Sequence, residues 1–141
     1  MNPASALAVE AVLAIPFLLF GASHILQPVL WRDFFVHLLG MGPKGLIYRS
    51  FLFELVPTML IVVFHQVWHG PALVLTIFGH AQLVKICLAL LVPRLAMRGM
   101  ALAEGNPRRF QFGGLMLIAL GLLCLYLVWV GLGSGASGDG A

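Results

Sequence analysis

Four long apolar segments limit what this chain can fold into. They cover residues 5–27, 46–66, 72–92 and 111–132, and a helix needs about 20 such residues to cross a bilayer. Only 9% of the chain is charged, against about 25% in soluble globular proteins. The sequence therefore predicts an all-α, polytopic membrane protein that folds as a four-helix bundle.

One domain accounts for nearly the whole length. Residues 1–132 form the predicted transmembrane domain, and the Gly/Ser-rich residues 133–141 are expected to be a disordered tail. The N-terminal segment lacks the positive residues that open a cleaved signal peptide, so we expect the first helix to be retained.

The basic residues predict the orientation of the chain. Seven of the eight lie in or beside two connections: Arg32, Lys44 and Arg49, then Arg94, Arg98, Arg108 and Arg109. By the positive-inside rule these connections face the cytoplasm, and both termini lie on the outer side of the cell (inner) membrane. The net charge of +3 reflects this orientation, so we expect the lipid bilayer, and no nucleic acid, as a partner.

A short interfacial amphipathic helix is predicted between helices 1 and 2. Residues 28–40, PVLWRDFFVHLLG, are too few to cross a bilayer. The apolar residues recur at helical spacing and are Trp31, Phe34, Phe35, Leu38 and Leu39. We expect this helix to lie in the inner membrane interface.

Glu54 and Lys85 form the centre of a predicted intramembrane polar core. Counted from the cytoplasmic ends at about 1.5 Å per residue, they lie roughly 12 and 10 Å deep, so we predict that they contact each other. In the alternative, Lys85 extends to lipid phosphates and Glu54 is protonated.

The second helix carries a polar stripe on the side of Glu54. On a helical projection Ser50, Thr58 and His65 lie within about 40° of it. Pro57 follows closely and leaves a backbone carbonyl without its usual donor, as is common at intramembrane sites.

Glu10, His24 and His80 complete the candidate polar core. Glu10 and His24 share a face of the first helix, although we favour a headgroup-level position for His24. His80 lies at a depth similar to that of Glu10. A contact between them is the alternative to an isolated core histidine, which we favour.

The fourth segment is uncharged and is interpreted as a packing helix. Gly113, Gly114 and Gly121 are expected to let another helix approach closely. Cys87 and Cys124, in the third and fourth segments, are interpreted as packing residues.

No metal or cofactor is predicted. His65 and His69 are four residues apart and would share a helical face, but zinc sites have three or four ligands, so this pair is only an alternative. Haem b needs two imidazoles at one depth, which disfavours His24 with His80. Haem b, or a quinone held by His65 and Glu54, remains the alternative cofactor.

Three function classes fit the sequence. We expect a noncatalytic accessory subunit or small-molecule binder, in which the polar core stabilises or gates the bundle. The alternatives are a membrane redox component and an oligomeric small transporter, because four helices with one ion pair need to oligomerise to form a pathway. A homo-oligomer or a membrane complex is the expected assembly.

Several pieces of the chain resemble known proteins. LLFGASHILQP, WRDFF, ELVPTMLIVVFHQVW and LTIFGHAQLVKICLALLVP resemble a group of small, uncharacterised bacterial four-helix membrane proteins. In that group His65 and Lys85 have counterparts, whereas an aromatic residue is usual at the position of His80. The second helix with Glu54 is also distantly similar to the DoxX-like superfamily, which implies an association with redox or oxidative-stress complexes.

Overall fold

The regular structure of the chain is helical. The computed structural model describes residues 3–104 and 106–136 and contains no strand within them. The helices are α1 (Pro3–Leu26), α2 (Pro28–Gly40), α3 (Pro43–Phe64), α4 (Leu73–Leu91), α5 (Pro93–Glu104) and α6 (Arg108–Ala136).

Four of these helices are long and apolar enough to cross a membrane. They supply the segments Ala4–Leu26, Pro43–Phe64, Leu73–Leu91 and Arg108–Gly133. Large apolar side chains on all four are more than half exposed, among them Leu19, Leu52, Val84 and Trp129. Because soluble monomers rarely expose such surfaces, these helices indicate a multi-pass membrane protein.

Helices α1 and α6 pack closely in antiparallel directions. A Cβ atom added to Gly114 would lie 2.7 Å from the carbonyl oxygen of Gly21, and one added to Gly121 would lie 2.7 Å from Leu18. A Cβ atom added to Gly113 would meet nothing within 4 Å. The close approach predicted for Gly114 and Gly121 is therefore present, whereas Gly113 takes no part in it.

The main apolar core lies where α3 and α4 meet α1 and α6. Its most deeply buried members come from all four helices and include Leu13, Ala14, Ile61, Leu75 and Cys124. Gly79 lets α4 approach Ile61, whose side chain would overlap a Cβ atom there. Cys87 is exposed on α4, so it is not the core packing residue that the sequence suggests.

A second, smaller core joins the basic connections. Leu38 of α2, Leu46 of α3 and Met100 of α5 are buried together. The sequence predicts only a basic connection between the third and fourth apolar segments, but α5 forms there, and its apolar residues Ala96, Met97 and Met100 fall on one side of the helix and pack against this core. Helix α5 is therefore stabilised by its contacts with α2 and α3.

The helix ends differ in detail from the predicted ones. Helix α3 ends at Phe64, two residues before the predicted end, and His65 already has non-helical backbone angles. Helix α6 continues to Ala136, so the first residues of the predicted tail are helical. Residues 137–141 of that tail lie outside the described residues.

Candidate functional site

A π-helical segment shapes α3 around Glu54. The helix is α-helical over Pro43–Arg49 and Val56–Phe64, and π-helical over Ser50–Leu55 between them. In a π-helix each hydrogen bond spans five residues, and such segments frequently occur at functional sites. This segment ends two residues before Pro57, where the sequence predicts an interrupted hydrogen-bond ladder.

Two cations bind the Glu54 carboxylate. Lys85 Nζ lies 2.9 Å from Glu54 Oε1, so the predicted contact is confirmed. Arg49 Nε lies 3.3 Å from the same oxygen, and Arg49 Nη2 donates to Oε2 at 3.4 Å. The side chains of Arg49 and Glu54 are 12% and 13% exposed, against 46% for Lys85. Arg49 is thus the protected partner and Lys85 the accessible one.

The role of Arg49 is not predicted from the sequence. Arg49 is expected in the cytoplasmic connection, and residues five apart point about 140° away from each other on an α-helix. The π-helical segment begins directly after Arg49 and brings its side chain to Glu54. No local sequence signal other than the nearby Pro57 indicates this change of register.

Glu54 also lines a cavity of about 480 Å³ that we call the aromatic cavity. Rings from three helices form much of its wall: Phe17, Phe20, His24, Trp31, Phe35 and Phe53. Gln82 of α4 adds an amide that makes no hydrogen bond with the described part of the chain. Small-molecule pockets typically have volumes of about 300–1,000 Å³, apolar walls and a few polar groups.

His24 and Trp31 are fixed at one end of the aromatic cavity. Gln27 leaves helical geometry and Pro28 begins α2, so the chain turns back beside the last turn of α1. The ring of His24 stacks on Trp31 with centroids 4.0 Å apart, and Trp31 Nε1 donates to Ser23 Oγ at 3.0 Å. His24 Nδ1 donates to the Phe20 carbonyl at 2.7 Å, which leaves Nε2 free to accept.

A second polar cluster is separate from Glu54. His65 Nε2 lies 2.9 Å from Glu10 Oε1, and His65 Nδ1 lies 3.1 Å from Thr76 Oγ1. The structure thus places His65 beside Glu10. The prediction that His65 lies on the same side of the second helix as Glu54 is wrong. Ser50 and Thr58 are buried on α3 but join no hydrogen bond of either cluster.

The early end of α3 explains this separation. His65 has φ −112° and ψ 76°, so it leaves the helical stripe and turns toward α1 and α4. The helical face predicted for His65 and His69 is wrong for the same reason, and His69 is exposed in the link between α3 and α4. Among the described residues, no group of three or more His, Cys, Asp and Glu side chains is arranged to hold a metal ion.

His80 lies outside both clusters. Its Nδ1 donates to the Thr76 carbonyl at 2.9 Å, and its ring is 5.1 Å from that of Trp68. The alternative contact between Glu10 and His80 is wrong, because Glu10 pairs with His65. His24 and His80 are not brought together, since His24 contacts Trp31 of α2 and His80 contacts the link between α3 and α4.

Comparison with known proteins gives no match: no protein-family model, curated protein or solved structure is similar to this chain. The fold and the two polar clusters define a multi-pass helical membrane protein with a cavity lined by aromatic residues. The resemblance to the uncharacterised four-helix group and to the DoxX-like superfamily stays a prediction.

Proposed function

We propose that this chain is a noncatalytic membrane protein that binds a small, lipid-soluble molecule in the aromatic cavity. The observation that carries the proposal is the cavity itself, because a space of about 480 Å³ combines aromatic walls with the Glu54 cluster and the unpaired amide of Gln82. The Gln82 amide is only partly buried and has no hydrogen-bond partner among the described residues, so it can donate to a ligand in the cavity.

The lining residues define the class of ligand. The aromatic rings favour a flat or isoprenoid apolar body, and Gln82 favours a head group that accepts a hydrogen bond. Both Glu54 oxygens already contact Arg49 or Lys85. Glu54 therefore contributes a negative charge at the cavity wall and does not serve as a free hydrogen-bond acceptor for the ligand.

A quinone fits this description and gives the second candidate function, a membrane redox component. Gln82 can donate to a quinone carbonyl, and the free Nε2 of His24 can accept from a quinol hydroxyl. This arrangement would replace the quinone site suggested at His65, which is occupied by Glu10 and Thr76.

The proposed setting is a four-helix bundle in the inner membrane. Seven of the eight Lys and Arg residues lie in or near the connections that carry α2 and α5, which supports their placement on the cytoplasmic side. Helix α2 carries Trp31 and Arg32, and α5 carries exposed Arg94 and Arg98, as expected for helices in a charged interface. The link around His69 and both termini then lie outside.

Extraction of co-purifying compounds tests the proposed function. The wild-type protein is purified in mild detergent and extracted with organic solvent, and the extract is compared by mass spectrometry with that of Leu117→Phe, which places a larger side chain in the cavity wall. Leu115→Phe is the matched control, because Leu115 is 58% exposed on the same helix. We expect one compound to be retained by the wild type and the control and lost from Leu117→Phe. Identical extracts from all three would contradict the proposal.

A further inference from the structure

Glu10, His65 and Thr76 form a hydrogen-bonded chain inside the membrane domain, separate from the aromatic cavity. His65 and Thr76 are fully buried and Glu10 is 5% exposed. Their polar atoms therefore depend on one another and on nearby backbone groups. The distances between these atoms therefore indicate which of them carry protons.

The hydroxyl of Thr76 fixes the first proton. Its Oγ1 lies 2.7 Å from the Val67 carbonyl oxygen and 3.2 Å from that of His65. A carbonyl oxygen only accepts, so the single hydroxyl proton of Thr76 is donated to one of them. Oγ1 can then only accept from His65, and so His65 Nδ1 carries a proton.

The other ring nitrogen fixes the proton count of the pair. A neutral imidazole has one N–H, so His65 Nε2 would face Glu10 Oε1 with a lone pair. Two acceptors 2.9 Å apart require a proton between them. Either His65 is an imidazolium beside a carboxylate, or a neutral His65 accepts from a protonated Glu10. In both cases the pair holds one proton more than a neutral imidazole and a carboxylate.

The surroundings support this count. Other titratable groups face the pair. Cys124 of α6 interacts electrostatically with Glu10, and His80 of α4 is bonded to the Thr76 carbonyl. His69 of the link lines a cavity together with Glu10. The sequence places no Lys or Arg in residues 1–31 or 50–84. A charged group inside a membrane is costly, and a bound proton makes this pair neutral overall.

Glu10 also has a route to the surface. It lines a cavity of about 640 Å³ together with Gln66 and His69 from the link between α3 and α4. We propose that Glu10 and His65 form an intramembrane proton-binding site, which takes up and releases one proton through this cavity. The site is independent of ligand binding in the aromatic cavity.

Nitrogen-15 NMR of the full chain in lipid tests the proton count. Histidine is labelled, and the His65 signals are assigned by replacing the other four histidines one at a time, so that His65 itself is kept in every variant. We expect His65 Nδ1 to be protonated at neutral pH. A neutral His65 with its only proton on Nε2 would overturn the proposal, because Glu10 would then be a simple carboxylate acceptor.

Proton release tests the exchange. On raising the pH, the wild-type chain should lose one proton as the His65 signals change, and His80→Gln should behave in the same way. Glu10→Gln should abolish this loss. Thr76→Ser should preserve the Nδ1 proton, whereas Thr76→Val should move it to Nε2. His65 signals that do not change with pH in the wild type, or the same proton loss in a folded Glu10→Gln variant, would contradict the proposal.

Discussion

Glu54 is held by two cations that differ in accessibility. Arg49 is nearly buried and touches both carboxylate oxygens, whereas Lys85 is 46% exposed and touches one. Removing one member of a buried ion pair costs about 3–5 kcal/mol, because the other charge is left buried without a partner. The three residues should therefore respond very differently to substitution.

We predict that Glu54→Gln destabilises the protein far more than Lys85→Met. The first change leaves Arg49 buried without an acid, and the second leaves the buried pair intact. Thermal unfolding in detergent measures the stability of both variants. The double variant Glu54→Gln with Lys85→Met should be more stable than Glu54→Gln alone, since one unpaired cation is removed. Equal losses for the two single variants would contradict this assignment.

Residue depth predicts only part of these contacts. Counting residues from the helix ends is enough to pair Glu54 with Lys85, because the two lie at similar depth in neighbouring helices. The same counting misses Arg49, because the π-helical segment changes the register, and it misplaces His65, because α3 ends at Phe64. Both errors follow from hydrogen-bond patterns that depend on tertiary packing.

At the scale of the helices, the pair α1 and α6 depends on small residues. Gly114 contacts the backbone of Gly21, whereas its neighbour Gly113 faces open space. The two glycines therefore have the same helical backbone but differ in what a side chain would contact. They provide a matched test of close helix approach.

We expect Gly114→Ala to lower stability by about 1–3 kcal/mol, the usual cost of overpacking. The nearest atom is the backbone carbonyl oxygen of Gly21 on α1, so the helices must move apart. Gly113→Ala should be neutral or stabilising, because alanine favours a helix by about 0.8–1.0 kcal/mol over glycine. Thermal unfolding of both variants decides the matter, and equal destabilisation would show that α1 and α6 do not pack in this way.

The helical elements themselves are largely predictable. Four apolar runs of suitable length predict the four helices that can span a membrane, and helical spacing over residues 28–40 predicts α2. Helix α5 is missed because its basic residues and neighbouring Asn106 and Pro107 resemble a loop. Its stability depends on burial of Met100 against α2 and α3, which the sequence does not show.

At the scale of the whole molecule, the basic residues predict which side faces the cytoplasm. Single cysteines test this in a Cys87→Ala background, because Cys124 is buried and Cys87 is exposed. In intact cells, a membrane-impermeant maleimide should label His69→Cys and should label Arg98→Cys only after permeabilisation. The reverse pattern would mean that the orientation is inverted.

Binding in the aromatic cavity is the central claim, and Trp31 in its wall can report it directly. In a variant with Trp68→Phe and Trp129→Phe, Trp31 is the only tryptophan, and a short-chain quinone is titrated while its fluorescence is followed. We predict saturable quenching, weakened about 3- to 10-fold by Gln82→Leu through loss of one hydrogen bond. Quenching that rises linearly with quinone and is unchanged by Gln82→Leu would contradict a binding site in this cavity.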